Sequence, residues 1–153
     1  MRKILLALIF TSCIAFMNRV NAQDYKLGIG LRFSTPAPTL SNSVSVKYFI
    51  KETAAIEGLI SYGNHFGIGG LYEIHRAVNA TPGLKWYYGG GAYLGFDSQH
   101  KTYLGPTGVV GLDYKFEKIP LNLSLDWKPE LDMLPGINFI PDAIGLSARF
   151  TLK

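Results

Sequence analysis

The chain has 153 residues, 48% of them hydrophobic, with 17 glycines, one cysteine and a formal net charge of +4. That length allows one domain, and no stretch beyond the N-terminus is a continuous apolar run of the ~20 residues a membrane helix needs. The basic excess sits largely in the N-terminal segment, so it is no argument for a nucleic-acid partner.

Residues 1–22 read as a cleaved signal peptide. Met1-Arg2-Lys3 is a basic head, Ile4 to Met17 is apolar, and Val20-Asn21-Ala22 fits a small-residue cleavage site before Gln23. The apolar core is short for an uncleaved anchor, and Asn18-Arg19 interrupts it. Loss of Arg2, Lys3 and Arg19 takes the basic residues from 15 to 12 against 11 acidic ones, which leaves residues 23–153 close to neutral. Cys13 leaves with the segment, so no disulfide is expected. Lipid attachment at Cys13 is the competing reading, and Phe10, three residues before it, matches that signal poorly.

From Tyr25 the pattern alternates with period two, as side chains do on the two faces of a strand. The first strand spans about 25–33, with Tyr25, Leu27, Ile29, Leu31 and Phe33 on one face and Lys26, Gly28, Gly30 and Arg32 on the other. Residues 34–42, rich in Pro, Ser and Asn, read as a loop. The second strand, about 43–51, sets Val44, Val46, Tyr48 and Ile50 against Ser45, Lys47, Phe49 and Lys51. Glu52-Thr53 turns into the third, about 54–62, where Ile56, Ile60 and Tyr62 oppose Glu57, Leu59 and Ser61. Gly63-Asn64-His65 leads to the fourth, about 66–76, with Phe66, Ile68, Tyr72 and Ile74 opposite Gly67, Gly69, Glu73 and His75.

The fifth strand, 84–96, carries Trp86, Tyr88, Ala92, Leu94 and Phe96 on its apolar face. Lys85, Tyr87, Gly91 and Tyr93 lie opposite. A polar loop is expected over 97–103. The clearest pattern is the hairpin of 107–130. Val110, Leu112, Tyr114 and Phe116 share a face, as do Leu121, Leu123, Leu125 and Trp127. Asp113, Lys115, Asn122, Ser124, Asp126 and Lys128 occupy the other. Residues 129–142 form the longest connection, and the last strand, about 143–152, sets Ile144, Leu146, Ala148, Phe150 and Leu152 against Gly145, Ser147, Arg149 and Thr151.

Eight such strands predict an all-β, closed up-and-down antiparallel transmembrane β-barrel over residues 23–153. Closure is required because an open edge in hydrocarbon leaves backbone groups unpaired. The connections at 52–53, 77–82 and 117–120 are short. Those at 34–42, 97–103 and 129–142 are long, the asymmetry expected of inner turns and external loops. A lipocalin-like secreted barrel would instead turn its apolar face inward around a small apolar ligand. Two features favour lipid. The apolar face carries no charged residue in any predicted strand, where Arg or Lys near the midplane would cost about 2–4 kcal/mol. Aromatics also gather at the strand ends, Phe33, Tyr62, Phe66, Phe96 and Trp127 at one rim and Tyr25, Tyr48, Tyr72, Trp86, Tyr114 and Phe116 at the other, as headgroup girdles would.

The segment Gly111-Leu112-Asp113-Tyr114-Lys115-Phe116 through Pro120-Leu121-Asn122-Leu123-Ser124-Leu125-Asp126-Trp127-Lys128-Pro129 resembles the penultimate hairpin of the small outer-membrane β-barrel proteins of Gram-negative bacteria. The ending Gly145 to Lys153 resembles their C-terminal strand, with Phe150 and Leu152 in phase and Lys153 in place of a terminal aromatic. The resemblance implies export to the cell outer membrane and outer-membrane lipids as partners, with the barrel-insertion machinery acting during assembly. It implies a porin-like wall and a monomer.

The polar face collects Arg32, Lys47, Glu57, Glu73, His75, Lys85, Asp113, Lys115, Asp126 and Arg149. A barrel of eight strands is just wide enough for side chains to fill. Buried charges of both signs must pair, so these residues are expected to form an interior ion-pair network rather than a pore. No cofactor or metal set is expected, since the histidines are scattered. Catalysis by a lipid-modifying hydrolase (lipid A deacylase-like) would draw on His100 beside Asp97 and Ser98, or on His75 with Glu73, and a solvated loop and a core histidine are the plainer readings. The apolar residues of the last connection, Leu131, Met133, Leu134, Ile137, Phe139 and Ile140, form a candidate interaction site. They are expected to pack over the barrel mouth, or else against the outer leaflet or a partner.

Overall fold

The computed structural model describes residues 25–63 and 65–153. The cleavage site and Cys13 lie outside the described residues. Ten strands follow in order: β1 (Leu27–Ser34), β2 (Ser43–Lys51), β3 (Ala54–Ser61), β4 (His65–Ala77), β5 (Leu84–Asp97), β6 (Thr102–Lys115), β7 (Leu121–Trp127), β8 (Glu130–Asp132), β9 (Asn138–Ile140) and β10 (Ile144–Leu152). No helix occurs among the described residues.

Eight of the strands close an antiparallel barrel. β1 to β7 pair in sequence, β7 pairs with β10, and β10 pairs with β1. Hydrogen-bonded partners followed around the wall from Ile144 pass through Trp127, Val110, Tyr88, Ile74 and Ala54. From Ala54 they reach Lys51, beyond the last β2 residue paired with β1, so the trace has climbed off the far end of the wall, a stagger that tilts the strands.

The predicted alternation holds on every wall strand. Ile29, Leu31, Phe33, Ile56, Ile60, Ile68, Leu112, Leu125, Leu146 and Phe150 point out and are exposed, while Arg32, Lys47, Glu57, Glu73, Asp113, Asp126 and Arg149 point in and are buried. This inverts the distribution of a water-soluble domain, in which Lys, Glu, Arg and Asp are almost never fully buried. The expectation of an outer face free of charge fails at one place: the exposed Arg76, near the end of β4, is in phase with the outward Tyr72 and Ile74 and lies opposite the outward Trp86.

Several boundaries differ from the pattern reading. β6 begins at Thr102, because the turn before it is only Ser98–Lys101. Pro106 disguised this stretch, since proline normally marks a strand edge or break. It is tolerated because β7 ends opposite Val110. On the edge away from β5, β6 before Val110 meets only the Gly108–Pro129 hydrogen bond, the pairing Thr107–Glu130 and the bridge Leu104–Leu134, and Pro106 falls in the gap between the last two. Tyr25 does not join the aromatic rim. The chain bends before β1, and the buried Tyr25 ring packs edge-on to Phe49 at 5.1 Å inside the barrel. Residues 129–142 are a second-storey hairpin, β8–β9, attached to the upper half of β6.

Candidate functional site: the filled lumen

Three tiers of polar side chains occupy the interior. The central tier is built around Arg149 on β10. Its Nε donates to Ser45 Oγ at 2.6 Å, one terminal nitrogen donates to Ser124 Oγ at 2.7 Å, and the other pairs with Glu57 on β3. Glu57 also accepts from Ser45 Oγ at 2.5 Å. Lys47 lies 2.8 Å from Glu73 and 3.8 Å from Glu57, with its ammonium 4.2 Å from the Tyr87 ring centre.

His75 is flanked on both ring nitrogens by carboxylates, Glu73 at 2.9 Å and Asp113 at 3.5 Å. Its ring stacks on Tyr87 at 4.8 Å and leans on Phe49 at 4.8 Å. Asp113 in turn accepts from Tyr25 and Asn122. Arg149 and Lys47 thus stand against Glu57 and Glu73, the pairing of opposite charges that a low-dielectric interior demands, and His75 and Asp113 extend the same tier.

The second tier is Arg32 with Asp126 at 2.5 Å, joined by the Tyr87 hydroxyl at 3.3 Å. Gly145 makes this pair fit. A Cβ there would stand 2.2 Å from the Arg32 guanidinium. Two of the ten predicted interior residues lie apart from these tiers. Lys85 rests over the Phe49 ring at 5.4 Å, and Lys115 donates to the carbonyls of Phe116 and Ile119 in the turn before β7. The cavity by Tyr25, Phe49, Gly83, Lys85, Asp113 and Lys115 is about 10 Å³, no more than one water's room.

The third tier was not expected. It closes the mouth at the long-loop end. The loop after β1 folds inward and drives Leu40, fully buried, onto Leu59, Leu71, Tyr87, Tyr93 and Val109. Gly69 gives it the room, since a Cβ there would meet Leu40 Cδ1 at 2.3 Å. Glu130 holds the loop from the opposite side, accepting the backbone N–H of Thr39 at 2.7 Å and of Leu40 at 3.1 Å, while Lys128 donates to it at 2.6 Å. Asp132 accepts from the Tyr93 hydroxyl at 2.7 Å. The signal for these residues was present: Lys128, Glu130 and Asp132 continue the alternation of β7 past Trp127. Nothing in 34–42 marked Leu40, because one apolar residue in a polar loop has no period.

It is therefore Leu40 of the first loop, and not the apolar residues of the last connection, that plugs the mouth, while the last connection contributes its acids Glu130 and Asp132. Of the six apolar residues singled out there, Leu131 and Ile140 are half-buried and Met133, Leu134, Ile137 and Phe139 are exposed. The Asp97–Ser98–His100 grouping makes no catalytic arrangement. Asp97 accepts the N–H groups of Gln99 and Lys101 and the Tyr103 hydroxyl, and His100 takes the left-handed position of the turn at φ 63°. Among the described residues no cluster of His, Cys, Asp and Glu is set to hold a metal.

No protein-family model matches the chain, and no curated protein matches it.

Proposed function

We propose that this chain is a small integral outer-membrane barrel, exported by a cleaved signal peptide, whose lumen is packed for stability rather than for transport or catalysis. Its role in this reading is structural or in surface interaction, through the loops at the plugged end. The carrying observation is the inside-out distribution of side chains on a closed wall. Isoleucine, leucine and aromatic residues face out around the circumference, and the ion pairs face in. In water such a surface would aggregate. In a bilayer it matches both the solvent and the need for a sheet without an edge. Outer-membrane lipids are then the permanent partners, and the barrel-insertion machinery is the transient one. The interior acids and bases hold one another, and Leu40 plugs the mouth, so neither an open channel nor a reachable nucleophile and base is offered.

Fractionation tests this reading. Expressed in a Gram-negative host, the protein should pellet with outer membrane, resist alkaline carbonate extraction and dissolve only in detergent. Reconstituted into planar bilayers it should leave the baseline conductance unchanged. Recovery as a soluble periplasmic protein would overturn it.

A further inference from the structure

The β8–β9 hairpin obeys the same two-face rule as the wall. Residues directly opposite in an antiparallel pair share a face. Glu130 with Ile140 and Asp132 with Asn138 therefore look into the mouth, and Leu131 with Phe139 looks out. The inward acids are buried and engaged. The outward side is continuous with the apolar face of β6. Met133 N–H donates to the Leu104 carbonyl at 2.8 Å, and Leu134 bridges Leu104, whose partner across β5 is Leu94. From Met133 to Ile140 there is no charge, and Ile137 at the tip is 88% exposed.

The depth follows from the backbone. β9 ends the sheet, with no strand on its outer edge among the described residues. A free edge is not tolerated in the hydrocarbon centre, where nothing satisfies its N–H and C=O groups. It is tolerated at the boundary, where headgroups and water reach the backbone while apolar side chains dip into acyl chains, as for interfacial amphipathic segments.

We infer that the hairpin is a lipid-docking element: Met133, Ile137 and Phe139 insert into the acyl chains of the outer leaflet just beneath the headgroups, and so hold the mouth-closing acids Glu130 and Asp132 in place. This rests on the membrane reading above. A protein strand added to β9 is the alternative that the continuity with the wall argues against.

Nitroxide labels decide it. In a Cys13→Ser background, single cysteines at Ile137, at Leu123 on the wall and at Gln99 in an external turn are labelled. The protein is reconstituted into dimyristoylphosphatidylcholine vesicles, and relaxation by oxygen is compared with relaxation by a water-soluble nickel chelate. The labels at 137 and 123 should both favour oxygen several-fold over the label at 99. Water access at 137 with lipid access at 123 would overturn the docking inference alone. Water access at both would remove the membrane reading and the inference with it. A label at 137 shielded from both reagents only at high protein-to-lipid ratio would assign the hairpin to contact between copies and likewise overturn it.

Discussion

Arg149 on β10 meets Glu57 on β3 across the lumen, three strands away around the wall, with Ser45 of the intervening β2 bonded to both. Both side chains are shut from solvent, so each is tolerated inside only because the other is there.

Removing one partner should therefore cost more than removing both. Glu57→Ala is expected to destabilise the barrel by about 3–5 kcal/mol, because it strands the Arg149 charge. Glu57→Leu combined with Arg149→Met should recover most of that loss, since Lys47 keeps Glu73 at 2.8 Å. Urea unfolding in detergent, followed by the fluorescence of Trp86 and Trp127, measures both. A single mutant as stable as the parent would mean that the pair does not hold the wall.

Glycine positions divide by what faces them. At Gly145 an added methyl would overlap the Arg32 guanidinium, which is itself fixed by Asp126. At Gly70, on the outward face, nothing lies within 4 Å of the added carbon. Gly145→Ala should lower stability by about 1–3 kcal/mol, the usual range for overpacking, and Gly70→Ala should be neutral or mildly stabilising in the same unfolding assay. Equal effects would contradict the packing of Arg32 against β10.

The wall was legible in the sequence, and the mouth was not, for one physical reason. On a tilted strand each residue reports its own side by parity, so spacing put Lys47, Glu57, Asp126 and Arg149 on one common face, and the charges and aromatic rims chose that face as the inner one. Contacts that join segments distant in the chain leave no period. Leu40 is buried by Leu59, Leu71 and Tyr93, and Glu130 reaches residues 39 and 40 from ninety positions away. Parity also misled where the strand had not begun. Tyr25 is in phase with Leu27, yet it precedes β1 and turns in to bond Asp113.

The mouth plug depends on a carboxylate receiving two successive amides. Glu130→Ala removes that acceptor from Thr39 and Leu40 and leaves Lys128 without its partner. The loop should then lift, exposing the Leu40 peptide bond to chymotrypsin while the barrel stays folded. Mass spectrometry should find a cut after Leu40 in Glu130→Ala and not in the parent. Glu130→Gln, which keeps one acceptor oxygen and loses the charge, should be intermediate. Equal resistance in all three would show that burial of Leu40 holds the loop without the latch.

The Asp97 turn makes a pH-dependent prediction at the far end of β5, past the rim residue Phe96. The amides of Lys101 and Gln99 and the hydroxyl of Tyr103 donate to the Asp97 carboxylate, with the Lys101 amide the strongest cause, and they hold its pKa below the ordinary aspartate value. A carboxyl depressed in the folded state contributes its stabilisation above the unfolded pKa of about 3.9 and loses it as pH falls through the lower folded value. The turn should thus be unchanged from neutral pH down to about pH 5 and loosen only in stronger acid. The proton shifts of the Gln99 and Lys101 amides, followed by NMR in micelles, should move together below the usual aspartate range. Asp97→Asn, which keeps an acceptor but no titrating proton, should abolish the movement while preserving the turn. A midpoint at or above the ordinary aspartate value would show that the amides do not favour the ionised form.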